Sequence, residues 1–312
     1  MKKTKVVVLA GGWSEERDVS LESGKAVCDA LDKNRYDVVM IDPSKDICRL
    51  VTDRENVDIV FSLLHGKYGE DGSMQGMLQI LGVPFVGSGV LASALSFNKR
   101  LSKEVFRLRA FKVPNDIVLR REDVFYPDAI TAYLGDTTIV KPVSEGSSIG
   151  VSLCRTEKEL RDGIEKAFGF GDEVLVEEYI KGREISVCVI GNRNPEVFPV
   201  VEIVPDKKFP FFDYRAKYTK GETEDICPAD IPEHIATKAS NMAKDAHKAL
   251  MCSVWSRTDI IVRDDDLYLL ETNTIPGMTK TSLFPLAAQA YGLSFSELVD
   301  RLIKLSFEKD KE

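Results

Sequence analysis

The chain has 312 residues, 44% of them hydrophobic and 29% charged, and its 42 basic against 50 acidic side chains give a formal net charge of −8. At ~150 residues per domain the length suits about two domains, with one or three also allowed, and the composition is that of an ordinary globular protein. The acidic balance excludes a surface built to coat nucleic acid, so any anionic ligand must be held by a few focused cations.

In chain order, the basic Met1–Lys5 followed by Val6–Ala10 looks like the start of an export signal. That apolar run stops after five residues at Gly11-Gly12, too short for the apolar region of such a signal. No later stretch approaches the ~18 apolar residues of a membrane span. Lys5–Ala10 reads as a buried strand and Ser14–Leu31 as a helix, with Ser14, Glu15 and Glu16 suited to its N-terminus. Strands follow at Asp37–Ile41, Val57–Leu64 and 82–87. Strands alternating with helices predict an α/β unit with a doubly wound parallel sheet over residues 1–90.

Beyond residue 90 the spacing predicts a helix over Val90–Arg109, then strands Thr138–Pro142 and Val151–Cys154 around a Gly/Ser loop. Thr156–Ala167 reads as an amphipathic helix, with Thr156 and Glu159 at capping-box spacing. Val174–Glu178 reads as a strand, and Ile185–Gly191 begins a third region of mixed strands and helices. Residues 205–226 are polar, aromatic and weakly periodic, the pattern of a functional lid or a disordered segment. The six cysteines form no CxxC pair, which suits thiols in a reducing cytosol. His65, His234 and His247 are too dispersed for a histidine zinc site.

Two motifs carry chemistry. Arg257–Val262 and Leu267–Asn273 read as a β-hairpin around Asp264–Asp266 as a three-residue loop. That register sets Asp259 opposite Glu271, with Asn273 two residues on along the same face. Opposed carboxylates repel unless a cation lies between them, and hard oxygen ligands suit Mg²⁺ completed by phosphate oxygens. A solvent-exposed acidic hairpin is the alternative, disfavoured by the apolar residues flanking both acids. In the second motif, Lys141-Pro142 leads into the Gly/Ser loop 143–150. Glycines there would let backbone N–H groups approach phosphate while lysine adds point charge. Alone it could equally be a plain turn; beside a Mg²⁺ hairpin it reads as a nucleoside triphosphate clamp. It is not a Walker loop, and Gly11-Gly12 lacks the GxGxxG of dinucleotide binding, although a helix N-terminus there would suit a small carboxylate.

These pieces, together with Gly11-Gly12-Trp13-Ser14-Glu15-Glu16, His65-Gly66-Lys67-Tyr68-Gly69-Glu70-Asp71-Gly72, Gly182-Arg183-Glu184, Asp213-Tyr214, Lys217-Tyr218 and Pro276-Gly277-Met278-Thr279, resemble the D-alanine–D-alanine ligases, ATP-grasp enzymes of bacterial cell-wall synthesis. The resemblance covers nearly the whole chain. It implies an ATP-grasp fold of three parts: a substrate domain over 1–90, a central subdomain over 91–178, and a carboxyl-terminal subdomain over 179–312 with a lid at 205–226. It implies ATP-dependent ligation of two D-alanines through a D-alanyl phosphate, with Mg²⁺ or Mn²⁺, two ions being expected. The expected enzyme is a cytoplasmic homodimer with no nucleic-acid or membrane partner.

Carried over by position, Lys99 and Lys141 would hold phosphates and Lys217 would join the ATP site. Glu177, Tyr179 and Ile180 would line the adenine hinge, and Glu184 would take the ribose. Asp259, Glu271 and Asn273 would be metal ligands. Arg257 and the Gly277 N–H would stabilise an oxyanion, Ser282 and Leu283 would receive the second D-alanine's carboxylate, and Glu16 and His65 would meet the first D-alanine. Glu16, Ser147 and Tyr218 match a hydrogen-bonded triad. Ser20 and Glu70 read equally as turn and cap residues or as ligands, and are left out of the site. Asn98, Phe212, Val254 and Ser256 depart from the family's usual Asp, Tyr, Gly and Gly, which bears on efficiency rather than identity. The rival readings are a ligase using D-lactate or D-serine, and a non-catalytic ATP-binding regulator.

Overall fold

The structure is a computed structural model that describes residues 2–147, 149–205 and 223–309. Its first layer follows from alternation along β1 (Thr4–Leu9). Val6 and Val8 enter one apolar cluster and Val7 and Leu9 another, so the strand is covered on both faces. β2 (Tyr36–Ile41) and β3 (Ile59–Ser62) flank it in parallel, in the order β2-β1-β3. The strand expected at 82–87 shrinks to one parallel bridge, Val60 to Phe85. Helix Arg17–Ala30 packs on the first face through Val27, and the distant helix Phe295–Lys309 joins it with Leu298, Val299, Leu302 and Ile303. The amino-terminal core is thus completed by the carboxyl-terminal helix.

The helix expected over Val90–Arg109 is two helices, Val90–Phe97 and Lys99–Leu108. Asn98 interrupts it with extended backbone, and its side chain accepts from the Leu101 N–H at 3.0 Å, an N-cap that a continuous helix would not need. The Arg17–Ala30 helix likewise starts later than expected. Its cap residue is Glu16 without a side-chain cap bond, while Ser14 Oγ accepts from the Glu16 N–H at 3.3 Å. Thr156 does cap helix Glu157–Phe168, accepting from the Glu159 N–H at 3.2 Å, but the return bond to Glu159 comes from the Arg155 N–H at 2.8 Å.

The remaining described strands form two antiparallel sheets. β4 (Asp116–Arg120), β5 (Thr138–Pro142), β6 (Ser152–Cys154) and β7 (Glu173–Glu178) lie in the order β4-β7-β5-β6. β8 (Arg183–Ile190), β10 (Val201–Pro205), β11 (Thr223–Ile226), β12 (Trp255–Arg263) and β13 (Asp266–Asn273) lie in the order β11-β10-β8-β12-β13, with β9 (Glu196–Val197) beside β8. Period two splits the second sheet chemically. Ile185, Val187, Val189, Ile260 and Val262 pack against helix Glu233–Ala249 through Ile235, Ala239 and Ala243. The opposite face of the same strands carries Ser186, Asp259 and Glu271 in one cross-strand row and Cys188, Arg257 and Asn273 in the next.

The ends of the expected 205–226 lid are strand, not loop, since β10 and β11 pair as far as Pro205 opposite Thr223. The rest of that segment, including Phe212, Asp213, Tyr214, Lys217 and Tyr218, lies outside the described residues.

Candidate active site

The hairpin register is partly corrected. Arg263 pairs with Asp266, so the loop is the two residues Asp264-Asp265, with Asp264 left-handed at φ 55°. A bulge between Asp259 and Ile260 then leaves Leu270 without a pair and restores Asp259 opposite Glu271. The facing carboxylates therefore stand, reached through a tighter turn and a compensating irregularity.

Each carboxylate has its own resident cation. Arg257 Nε and Nη2 donate to Asp259 Oδ1 and Oδ2 at 2.9 and 2.7 Å, and the Ser186 hydroxyl donates to Oδ1. Both partners are buried, and Asp259 outweighs the burial that would discharge the guanidinium. Lys99 Nζ stands 3.7 Å from Glu271 Oε2. Asn273 Oδ1 accepts from the Ile275 N–H at 2.8 Å. Among the described residues no group of three His, Cys, Asp or Glu side chains is gathered tightly enough to hold a metal by itself.

A second charged set spans the central sheet. Lys141, buried at the end of β5, puts Nζ 2.6 Å from Glu177 Oε2 on β7. The other oxygen is 2.5 Å from Nζ of Lys103, a lysine with no exposed surface, which also reaches Asp116 Oδ1 at 2.9 Å. Arg107 pairs with the same Asp116. Burial alone would raise the Glu177 pKa, but Lys103 and Lys141 hold it down to about 2. Past β7, the Tyr179 N–H donates to Thr137 O at 3.2 Å, and Ile180 is buried. Glu184 lies on β8 on the same face as Ser186.

The loop after Lys141 is gripped from two sides. Lys99 Nζ donates to the Glu145 carbonyl, and the Ser147 hydroxyl donates to Glu16 Oε1. Between those grips a Cβ on Gly146 would stand 2.8 Å from Glu16 Oε2 and 3.6 Å from Glu70 Oε2, so a larger residue would have to displace the Glu16 carboxylate. Glu70 accepts from the Gly66 N–H at 2.7 Å. Burial and the neighbouring Glu16 nevertheless push its pKa up to about 8. His65 is buried in the turn that ends there.

On the carboxyl side, Ser282 precedes helix Leu283–Ala290, and its hydroxyl accepts from the Thr279 N–H at 3.0 Å. A Cβ on Gly277 would meet Ser282 Oγ at 2.8 Å. The Met278 N–H donates to Ser23 Oγ at 3.3 Å, which docks this loop on the Arg17–Ala30 helix. Ser20 is structural: its hydroxyl joins the Gly11 N–H at 2.9 Å to the Leu63 carbonyl at 2.6 Å.

Sequence reasoning passed over four residues. Lys103 repeats Lys99 one turn along the same helix, and that i,i+4 spacing was the available signal. Its counterion Asp116 begins β4, with nothing local to mark it. Glu70, for which a ligand reading and a turn reading weigh equally in the sequence, is set in the site by its closeness to Glu16. Asp225 on β11 has its pKa raised by burial and opposed by Arg257, which places it near the hairpin. Two departures also gain a physical reading. Ser256 bonds the buried His247 Nδ1 at 2.8 Å, behind Arg257. Val254, where glycine is frequent, is buried at φ 71°, a strained backbone for a β-branched residue.

Two antiparallel sheets facing a parallel-sheet unit, with cations on one side of a Gly/Ser loop and carboxylates on the other, make this a fold of ATP-grasp type. The family model described as D-ala D-ala ligase C-terminus matches residues 111–304, and that described as D-ala D-ala ligase N-terminus matches 5–50 and 45–88. The D-alanine–D-alanine ligase of Syntrophobacter fumaroxidans is 47% identical over 98% of this chain and 99% of its own length. That of Geobacter sulfurreducens is 44% identical over 97% and 94%. Among solved structures, the D-alanine–D-alanine ligase of Bacillus anthracis complexed with ATP superposes with a TM-score of 0.87 at 33% identity, covering 99% of both chains. The VanG D-Ala:D-Ser ligase of Enterococcus faecalis gives 0.84 at 32% identity, covering 98% of this chain and all of that one. The chain belongs to the D-alanine–D-alanine ligase family.

Proposed function

We propose that the protein joins two D-alanines to D-alanyl-D-alanine at the expense of ATP, for peptidoglycan precursor synthesis. The observation that carries this reading is the Glu145–Ser147 loop. Its phosphate side is held by Lys99 and its substrate side by Glu16, so one backbone segment separates a cationic pocket from an anionic one. The crowded carboxyl groups of Glu16 and Glu70 suit a D-alanine ammonium, whose arrival would favour ionised Glu70. The cationic side, Lys99 and Lys141, suits ATP phosphates. The substrate carboxylate attacks the γ-phosphorus and ADP leaves. The second D-alanine's amine, its ammonium proton lost, attacks the acyl carbon, and the tetrahedral intermediate collapses to the peptide bond by breaking the C–O bond and releasing inorganic phosphate. Arg257, fixed by Asp259, and the Gly277 N–H face the oxyanion of that second step. Ser282 and the Leu283 N–H at the helix start receive the acceptor carboxylate.

Asp259, Glu271 and Asn273 offer oxygen donors on one face of the hairpin, and too few carboxylates gather there to hold an ion without phosphate oxygens. That donor set fits Mg²⁺ or Mn²⁺, one ion or two. Such an ion, when bound, supplies charge neutralisation on the phosphates.

Glu177, Tyr179, Ile180 and Glu184 as the nucleoside side, Lys217 and Tyr218 in the lid, and domain boundaries at 90 and 178 follow from the family resemblance. The described residues include no helix long and apolar enough to cross a membrane. All six cysteines are free thiols, which supports a cytoplasmic location, and a homodimer is the family expectation.

The test is ADP release by the purified protein with ATP, Mg²⁺ and D-alanine, with products identified by mass spectrometry against L-alanine, D-serine and D-lactate as competitors. D-alanyl-D-alanine should dominate. Absence of D-alanine-dependent ADP release, or a predominant D-lactate or D-serine product, would overturn the reading.

A further inference from the structure

Lys103 has no direct part in the chemistry outlined above, yet it is the most enclosed charged group described in the molecule. Its ammonium lies 2.5 Å from Glu177 Oε1 and 2.9 Å from Asp116 Oδ1, with 1% side-chain exposure. A lysine so placed loses hydration and side-chain freedom, a cost that two short charge-assisted contacts offset. Among the described residues the group contains three cations, Lys103, Lys141 and Arg107, and two carboxylates, Glu177 and Asp116. One positive charge is left over. Lys141 lies at the end of β5 that opens into the Gly/Ser loop, and its ammonium contacts the Glu177 oxygen that Lys103 leaves.

We propose that Lys103 is a positioning residue for ATP binding: anchored by Asp116, it shares the charge of Glu177 and so keeps the Lys141 ammonium aimed at the phosphate site and available to it. Without Lys103, the whole carboxylate charge falls on Lys141, and an incoming phosphate must break a stronger ion pair. The inference rests on the reading that Lys141 meets nucleotide phosphate, and it adds the residue that sets how freely it does so.

The arrangement has a pH signature. Burial pulls Lys103 down to about 8, with Glu177 opposing and Lys141 and Arg107 adding to the fall. Asp116 is the other carboxylate facing it. Below that pH Lys103 is charged and Lys141 is shared; above it, neutral Lys103 leaves Glu177 to Lys141. Nucleotide affinity in the parent should therefore weaken between about pH 7 and pH 9.

The experiment is calorimetric titration of ATP with Mg²⁺, without D-alanine, into the parent, Lys103→Met and Lys103→Arg, with melting temperatures measured alongside. Lys103→Met should bind ATP about tenfold more weakly near pH 7, as for loss of one shared charge, and should raise KM for ATP far more than it lowers kcat. Lys103→Arg, charged throughout, should bind like the parent near pH 7 and keep that affinity near pH 9, where the parent has lost it. Parent-like affinity in a folded Lys103→Met, or an identical alkaline loss in the parent and Lys103→Arg, would overturn the proposal. Should Lys103→Met fail to fold, the arginine comparison decides alone. A parent that binds ATP normally but makes no dipeptide would instead sink the functional reading and leave this inference standing.

Discussion

Two buried glutamates, one on each side of the Gly/Ser loop, are tuned in opposite directions. Glu70 lies beside another carboxylate, Glu16, receives a backbone N–H from Gly66, and is pushed up to about 8. Glu177 is equally enclosed but sits between two lysine ammoniums and is held down to about 2. Burial acts upward on both, so the neighbours decide the sign. The lesson concerns ligands. Carboxylates crowded against one another make a pocket that gains by receiving an ammonium. A carboxylate with cations to spare makes a pocket that gains by receiving an anion. An enzyme that joins an amino acid using ATP needs one of each, close together and insulated.

The largest effect expected from disturbing this contrast is on Arg257, where charge serves the reaction rather than binding. Arg257→Met should lower turnover by about 10²–10³-fold, the range for removing one oxyanion donor. Steady-state ADP release at saturating substrates measures it, and a loss under tenfold would remove Arg257 from the oxyanion role.

Glu177→Gln comes next. It strips Lys103 and Lys141 of their shared counterion and should cost about 3–5 kcal/mol of stability, as breaking a buried pair does. Denaturant unfolding at neutral pH would show this, and a variant as stable as the parent would mean the network contributes little.

The same substitution on the other side should act with the opposite sign. Because the folded-state pKa of Glu70 is raised, the folded state holds a proton that the unfolded state has released above its ordinary value near 4.5. That contribution is fully present below about 4.5 and is lost as pH rises through about 8. Glu70→Gln cannot ionise, so near pH 9 it should melt at least about 3 °C above the parent, with the gap closing toward acid. Parallel melting curves of parent and variant across pH would contradict the raised pKa.

Legibility in the sequence divides along the same line. Opposed Asp259 and Glu271 were legible only because two departures from the expected hairpin offset each other, since a one-residue slip alone would have put Glu271 on the other face. The two-residue Asp264-Asp265 loop and the bulge at Leu270 happen to cancel in register. The three-strand parallel sheet, β5, and the Thr156 cap could be read from local patterns alone. Lys103 and Glu70 could not be assigned, because their significance is tertiary. Lys103 gains it from Glu177, 74 positions away, and Glu70 from Glu16, which the fold brings in from the start of the first helix. The break at Asn98 was missed because apolar spacing continues through it, and only the capping bond to Leu101 shows that two helices meet.

Asn98 also supplies the smallest test. Asn98→Asp keeps the cap oxygen and adds a negative charge at a helix N-terminus, next to Lys99, for about 0.3–1 kcal/mol of stabilisation. The same charge lies on the cationic side of the site, so ATP affinity should fall, by less than about threefold. A calorimetric pair of melting point and ATP titration checks both signs together, and stronger ATP binding would contradict the charge argument.

The most direct test of the contrast is the ionisation of the two glutamates themselves. Infrared difference spectra of parent minus Glu70→Gln, and of parent minus Glu177→Gln, would isolate the protonated-carboxyl stretch of each group across the range from acid to about pH 9. The account predicts a Glu70 band that persists through neutrality and disappears near pH 8, and no Glu177 band at any pH above about 4. A Glu70 band already gone by about pH 6, or a Glu177 band present at neutrality, would contradict it.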